Sequence, residues 1–252
     1  MTGSLARTAR RPLLTGSAFI RTLAALNDGP ASASPDAFAQ RLAQWFDWTH
    51  AFSLSAALSD VSARADGPGL GGRGALSADE RECARVRAAL AKLAADAPAG
   101  GAEPRRLGRP LAGGVTPTDT PVDFATYRQR YTACQLAMET QIVPLRRRLR
   151  SSLADRSSSL AKLAELDTVM EQVVGAQERA LLAGVAGRLE PRFDSLRGTQ
   201  GDAPSAAATP PGPWLDRFRQ EMRSLLLAEL DLRLQPVEGL LEACRKSSTD
   251  RS

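Results

Sequence analysis

The side chains best suited to chemistry in this sequence are arginines, which stand in two clusters. One cluster comprises Arg105, Arg106 and Arg109, and the other comprises Arg146, Arg147, Arg148 and Arg150. Guanidinium groups bind phosphate, so these clusters could together form a nucleic-acid-binding surface. No helix-turn-helix, zinc finger or aromatic stacking platform accompanies them, however, and acidic residues follow on the next predicted helix. We therefore expect a solvated or internally paired arginine face, with nucleic acid binding as the alternative.

The sequence contains few residues that could bind a metal or a cofactor. His50 is the single histidine, and although Asp47 stands one turn before it, a carboxylate-bridged di-metal site in a helical protein needs two such pairs and two further glutamates. The three cysteines are scattered, without the spacing of a zinc site or a disulfide framework. We predict no metal site and no cofactor.

A glycine-rich motif also fails in its context. The stretch from Gly67 to Gly72 matches the dinucleotide-binding fingerprint in its letters, but it follows a predicted helix and contains Pro68. The fingerprint binds a pyrophosphate only where a strand delivers its glycines to the start of a helix. No other catalytic motif is present, so we predict no catalytic residue and a non-enzymatic protein.

Aromatic residues are concentrated in one short segment, which contains Phe38, Trp45, Phe46, Trp48 and Phe52. Trp45, Trp48 and Phe52 follow helical spacing on one face, whereas Phe46 lies about 100° around the helix from Trp45. One core-facing stripe does not easily accommodate them all. Core packing is one use of these rings; the other makes Trp45, Phe46, Trp48 and Phe52 candidates for binding a protein partner.

The elements that position these residues are helical. The chain has 252 residues and a net charge of +5, and its apolar residues include 43 Ala and 34 Leu but only 10 Val and 2 Ile. Strong helix formers thus dominate over β-branched residues, which predicts an all-α protein. A membrane-spanning helix needs a run of about 18 apolar residues. The sequence contains no such run, so no membrane span is predicted. The unpaired cysteine pattern and the bias of 30 Arg to 3 Lys favour a bacterial, cytoplasmic protein.

Stretches rich in glycine and proline divide the chain, because such stretches neither sustain a helix nor bury a core. We predict a disordered basic arm over 1–16 and an N-terminal helical region over 17–95 that includes the aromatic cluster and a flexible loop over 62–76. A disordered linker over 96–120 precedes three long helices over 121–246, with a loop over 198–213 and a disordered tail over 247–252.

Helix boundaries and faces follow from caps and periodicity. Helices are predicted over 17–27, over 34–58, from a capping box at Ser77 to about Ala95, and from a cap at Thr120 to Asp123. Two further helices are predicted over 159–197 and 214–244. The apolar side of the first includes Leu181. The apolar side of the second comprises nine residues: Leu215, Phe218, Met222, Leu225, Leu226, Leu230, Leu234, Val237 and Leu241. The helix after Asp123 repeats at 3.6 residues along Phe124, Tyr127, Tyr131, Cys134, Met138, Ile142, Leu145, Leu149 and Leu153.

Each long helix contains one proline, at Pro144, Pro191 and Pro236. A proline inside a helix removes a hydrogen bond and clashes with the preceding turn, so we expect a kink or break at each. The predicted architecture is an elongated helical bundle or coiled-coil-like assembly of long, kinked helices. Whether the similar proline contexts are three coincidences or an ancient repeat stays open.

Five segments carry a resemblance to a known family. They are Arg41 to Leu58, Asp123 to Arg128, Leu166 to Met170, Arg188 to Phe193 and Leu227 to Pro236. In these the chain resembles a proteobacterial family called domain of unknown function 3348. The resemblance carries over no catalytic residues. It implies a cytoplasmic helical accessory of an envelope-associated complex, stator-like or proton-channel-like, so the predicted partners are envelope-complex proteins or a second copy of the chain.

Overall fold

The computed structural model describes residues 17–26, 48–59, 73–99, 123–199 and 212–249. Every regular element in these ranges is a helix, which confirms the all-α class predicted from composition. The elements are α1 (Ala18–Leu26), α2 (Trp48–Ser59), α3 (Arg73–Asp96), a 3₁₀ turn (Ala97–Ala99), α4 (Phe124–Ala154), α5 (Ser158–Ala183), α6 (Val185–Arg188), α7 (Glu190–Gly198) and α8 (Pro213–Thr249).

Helix α8 is the hub of the described structure. It has 37 residues and packs against α1, α3, α4, α5 and α7. Leucine supplies most of its contact face, as expected for an amphipathic helix that meets neighbours on several sides. All nine residues predicted for that face are buried: Leu215, Phe218, Met222, Leu225, Leu226, Leu230, Leu234, Val237 and Leu241.

Helix α4 begins where an aspartate caps it. The Asp123 side chain accepts a hydrogen bond from the backbone N–H of Ala125, so the cap is this residue; Thr120 lies outside the described residues. The nine residues of the predicted stripe, from Phe124 to Leu153, are all buried, which confirms that face. At its N-terminal end the rings of Phe124 and Tyr127 pack with those of Phe193 and Phe218, at centroid distances of 5.3 to 6.4 Å.

Helices α4 and α5 form an antiparallel pair. After α4 ends at Ala154, the Ser157 hydroxyl accepts a hydrogen bond from the Leu160 N–H and starts α5. The single helix predicted over 159–197 is wrong, because the chain turns at Gly184 and again at Leu189. The predicted apolar face of this segment is also wrong at one position, because Leu181 is 59% exposed and its neighbour Leu182 is buried instead.

The prolines behave in two ways. Pro144 and Pro236 lie inside helices that continue through them, so a break at these positions is wrong, and a bend there stays a prediction. Pro191 stands in the first turn of α7, two residues after the turn at Leu189. The first turn tolerates proline because its N–H groups have no partner within the helix.

Helix α3 departs from the prediction at its start, whereas its end at Asp96 agrees with the predicted end near Ala95. It begins at Arg73 rather than at Ser77, within the predicted loop, and Leu76 in its added turn packs against the core. Glu80, the expected partner of the cap, instead accepts a hydrogen bond of 2.7 Å from Arg245 on α8. A tertiary ion pair thus replaces the local capping box.

Several predicted boundaries shift for the same reason, that flanking residues find tertiary contacts. The start of the predicted linker forms the 3₁₀ turn, in which Pro98 is buried. Helix α8 continues through 247–249, into the predicted tail. Residues 1–16, 27–47, 60–72, 100–122, 200–211 and 250–252, with the basic arm and most of the predicted loops and linkers, lie outside the described residues.

A fully buried carboxylate joins three helices at the centre. Glu229 of α8 has no exposed surface and accepts a hydrogen bond of 2.7 Å from the Tyr131 hydroxyl. The Gln135 side-chain amide donates both to Glu229, at 3.0 Å, and to the backbone carbonyl of Leu182, at 2.8 Å. Arg233, one turn along α8, supplies the balancing charge at 2.9 Å. Burial raises the pKa of the Tyr131 phenol, and the Glu229 charge raises it further, so this hydroxyl remains a donor.

Replacement of Glu229 tests this network. We expect Glu229→Ala to lower the free energy of unfolding by about 3–5 kcal/mol, because it leaves the Arg233 charge buried without its partner. Tyr131→Phe removes a single hydrogen bond and should cost about 1–3 kcal/mol. Urea denaturation of both variants measures the difference. Equal losses would contradict a central role for the charge pair.

Candidate functional site

The second arginine cluster lies on the α4 face that meets α5, and two of its members are paired across that contact. Arg146 donates to both carboxylate oxygens of Asp167, at 2.8 and 2.7 Å. Arg150 donates to Asp167 at 2.6 Å and to Glu171 at 2.6 Å. The Arg146 and Arg150 side chains are only 14% and 12% exposed. Their donors are therefore used within the chain.

Arg146, Arg150, Asp167 and Glu171 together form an ion-pair network, which we call the internal fork. Its electrostatics favour the charged states of Asp167 and Arg146. Burial alone would raise the pKa of Asp167, but the hydrogen bonds from Arg146 and Arg150 outweigh it and hold that pKa below its usual range. For Arg146, burial opposes the charge, but the hydrogen bond that Arg146 donates to Asp167, together with the nearby carboxylate charges, outweighs burial, so the pKa of Arg146 is raised. Both partners stay ionised at neutral pH, as expected of charge-assisted, two-point contacts.

The remaining arginines of the cluster face outwards. Arg147 is exposed, and Arg148 is 55% exposed with a guanidinium nitrogen 3.7 Å from Asp79. Asp79 itself is buried and belongs to a second internal pair with Arg156, which is also buried. The structure thus brings Arg146 and Arg150 together and separates Arg147 and Arg148 from them. Arg105, Arg106 and Arg109 of the first cluster lie outside the described residues.

The aromatic candidates divide in the same way. Phe52 lies on α2 and is 72% exposed, the largest value among the exposed large apolar residues of the described chain. Trp48 begins α2, and His50 lies in its first turn. Trp45 and Phe46 lie outside the described residues. Helix α2 packs against α5, so its Phe52 side chain points away from a helix that is already in place.

Sequence reasoning missed two exposed leucines. Leu136 on α4 is 62% exposed and Leu181 on α5 is 59% exposed. They are the immediate chain neighbours of Gln135 and Leu182, whose hydrogen bond joins the two helices, so they lie at the same level of the antiparallel pair. Leu136 stands off the nine-residue stripe of α4, and that departure from the period is the signal that identifies it. We call these two residues the leucine pair.

Two of the clefts between the long helices contain charged or reactive side chains that bear on possible chemistry. One, between α4, α5 and α8, has a volume of about 60 Å³ and is lined by charges including Arg146, Glu171 and Arg233. This volume is far below the 300–1,000 Å³ typical of small-molecule sites. The other, between α3 and α8, has about 410 Å³ and includes Cys83. Burial and the nearby Asp79 charge raise the pKa of that thiol to about 11, so it stays protonated and a weak nucleophile.

The described residues contain no group of metal-ligating side chains that could hold an ion. Cys83, Cys134 and Cys244 are all free and buried. Within the described ranges, no helix has the length and apolar character that crossing a membrane requires.

Comparison with known proteins decides the family. The sequence model of a protein of unknown function (DUF3348) matches residues 5–246. The chain belongs to the DUF3348 family. This confirms the resemblance seen in the five segments between Arg41 and Pro236, all of which lie in the matched range. No curated protein and no solved structure was found to match this DUF3348 chain.

The internal fork predicts unequal effects for adjacent arginines. Arg150→Ala should lower the free energy of unfolding by about 2–3 kcal/mol, because it removes charged hydrogen bonds to two half-buried carboxylates. Arg147→Ala, on the exposed side of the same turn, is the matched control and should change it by less than about 0.5 kcal/mol. Chemical denaturation distinguishes the two, and equal values would show that the fork contributes nothing.

The same fork predicts acid sensitivity. Since the pKa of Asp167 is lower in the folded chain, its contribution to stability is present above the ordinary Asp value of about 3.9 and is lost as pH falls through the folded value. Asp167→Asn should be less stable at neutral pH, and its melting temperature should fall less steeply below about pH 5. Asp194→Asn, which removes an exposed carboxylate, should keep the parent slope. A parent slope in Asp167→Asn would contradict the assignment.

Proposed function

We propose that the chain is a non-enzymatic helical interaction protein, an elongated bundle that docks a partner protein through exposed apolar side chains. The observation that carries this proposal is Phe52, an aromatic side chain 72% exposed on a helix that already packs against α5. Large apolar side chains on a surface mark interaction sites when they occur together, whereas single ones are ordinary. The concentration of aromatic residues in the sequence between Phe38 and Phe52 adds to its weight, and the leucine pair is a separate pair of exposed apolar side chains on α4 and α5.

The core supports this proposal because it is complete without Phe52. The faces of α4 and α8 bury one another, and the ring cluster around Phe193 closes the end of the assembly. Phe52 is thus available for a partner, and a phenyl ring transfers a large apolar area into an interface with little loss of side-chain entropy.

Other functions draw less support from the described residues. The guanidinium groups of Arg146 and Arg150 donate hydrogen bonds to Asp167 and Glu171. Of this cluster, Arg147 and Arg148 are therefore the members left to contact a nucleic acid. The charge-lined cleft beside Arg233 has converging carboxylates and guanidinium groups, as an active site would, but its 60 Å³ accommodates only a water molecule or two.

For the partner, we propose a component of an envelope-associated complex, stator-like or proton-channel-like, met by this chain in the cytoplasm. The support is the family resemblance. Self-association through the same surface is the other outcome that an interaction protein allows.

Phe52→Asp tests the proposal. We expect it to reduce retention of the partner, or self-association measured by sedimentation velocity, by about tenfold or more, since an interface aromatic that acts as a hot spot contributes at least about 2 kcal/mol. Partner retention is measured by affinity purification of the tagged full chain from its native host. Ala51→Asp adds the same charge to the same helix about 100° away and should retain both properties.

Folding of both variants is checked by circular dichroism, because a surface substitution should leave the helix content unchanged. Unchanged partner retention and unchanged self-association in Phe52→Asp would refute a role for this surface.

A further inference from the structure

A third cleft, between α1, α7 and α8, gathers three arginines around one carboxylate. It has a volume of about 620 Å³ and is lined by Arg21 of α1, Arg192 of α7, and Arg217 and Glu221 of α8. These residues come from three separate parts of the chain and belong to neither arginine cluster of the sequence. The cleft lies apart from α2 and the leucine pair, so it is independent of the proposed docking surface.

Glu221 holds two of the guanidinium groups in fixed positions. Arg192 donates to both of its oxygens, at 2.8 and 2.6 Å, and Arg217 donates through Nε at 3.1 Å. Glu221 is 19% exposed and Arg192 is 20% exposed, whereas Arg217 is 65% exposed. The hydrogen bond from Arg192 lowers the pKa of Glu221, so the carboxylate stays ionised and continues to orient both cations.

Donors remain open after these contacts. Among the described residues, no acceptor binds the terminal nitrogens of Arg217, and none binds the Arg21 guanidinium. Both groups line the cleft. The hydrogen bond to Glu221 holds Arg217 in place before any ligand arrives, which lowers the ordering cost of binding an oxyanion.

The charge of the cleft selects the class of ligand. Three guanidinium groups and one carboxylate leave a formal charge of +2. A second carboxylate would neutralise half of this charge, and so would a phosphodiester. A phosphate monoester carries about −1.5 to −2 at neutral pH, which matches the charge, and its three acceptor oxygens can accept hydrogen bonds from more than one guanidinium group at once.

We infer that this cleft binds the phosphate group of a small phosphate monoester. The volume lies within the range for small-molecule sites, so there is room for more than the phosphate itself. Leu26 offers an apolar wall and Gln220 an amide for the organic part of the ligand. The site binds and orients; no bond is made or broken in this inference.

Calorimetric titration of the full chain with glycerol 3-phosphate tests the inference. We expect saturable binding with one site per chain, and about tenfold weaker binding in Arg217→Gln and in Arg21→Gln, because each loses a charged hydrogen bond to the phosphate. Arg223→Gln, an exposed arginine on α8 that does not line the cleft, is the matched control and should bind as the parent does.

Three further probes separate the phosphate dianion from general attraction of anions. Glycerol should not bind, and monoanionic dimethyl phosphate should bind much more weakly than the monoester. Affinity for glycerol 3-phosphate should fall about tenfold from about pH 7.5 to about pH 5, as the monoester loses its second charge near pH 6, while affinity for sulfate should stay constant. The described charged groups that line the cleft are Arg21, Arg192, Arg217 and Glu221, and the pKa of Glu221 lies below its usual range.

The inference fails if glycerol 3-phosphate gives no saturable binding at low ionic strength, or if Arg223→Gln weakens binding as much as Arg217→Gln. It also fails if dimethyl phosphate binds as well as the monoester. Should one of the two cleft variants not fold, the other still decides, since both arginines lie on the surface. Loss of phosphate binding and loss of partner retention are separate measurements, so either proposal can fail alone.

Discussion

The fold depends on the compensation of one buried carboxylate. Glu229 lies at the centre of the longest helix with no exposed surface, where an uncompensated charge would cost several kcal/mol. Compensation requires Tyr131 and Gln135 to be in register on α4 and Arg233 to follow one turn later on α8. Gln135 also binds the Leu182 carbonyl, so the end of α5 is fixed by the same cluster. Leucine faces alone permit neighbouring helices to slide; this polar centre permits one alignment.

Arginine is used through the rest of the structure in the same way. Asp79 and Arg156 are buried together where α3 meets the end of α4, and Arg87 of α3 pairs with both Asp231 and Glu238 of α8. A planar guanidinium can bind two acceptors at once, which a lysine ammonium does with less geometric definition. The excess of arginine over lysine in the composition therefore has a structural consequence, since these forks set the register between helices that are otherwise held by leucine.

Helix faces that follow from a periodic pattern can be predicted from the sequence, whereas features that depend on tertiary contacts cannot. The buried faces of α4 and α8 follow from an uninterrupted 3.6-residue repeat, which needs no knowledge of the neighbours. The turn at Gly184 is missed, because the apolar repeat continues past it while the regular helix does not. The turn at Leu189 lies two residues before Pro191, where a kink or break is expected from the sequence. A different error occurs at Ser77. The capping box predicts a helix start there, but α3 begins earlier, at Arg73, and Glu80 pairs with Arg245 of α8 instead. Pairing of Arg146 and Arg150 with acids of the next helix is one of the two outcomes expected for that cluster. The cleft around Glu221 is not predicted, because it joins residues that are too far apart in sequence.

The open groups of the described chain lie at its periphery, whereas the charged groups of its core have partners. Inside the described core the charged side chains have partners, the thiols are protonated, and the cleft beside Arg233 is too small for a substrate. The most exposed large apolar side chains of the described chain are Phe52 and the leucine pair. In the Glu221 cleft, the arginines with donors that no described acceptor binds are Arg21 and Arg217. Exposed apolar side chains that occur together, and positive charge concentrated in one cleft, are features that interaction sites share. A rigid interior with open contacts at its edges suits recognition, because the interior fixes the distance between the contacts while each edge can meet a different ligand.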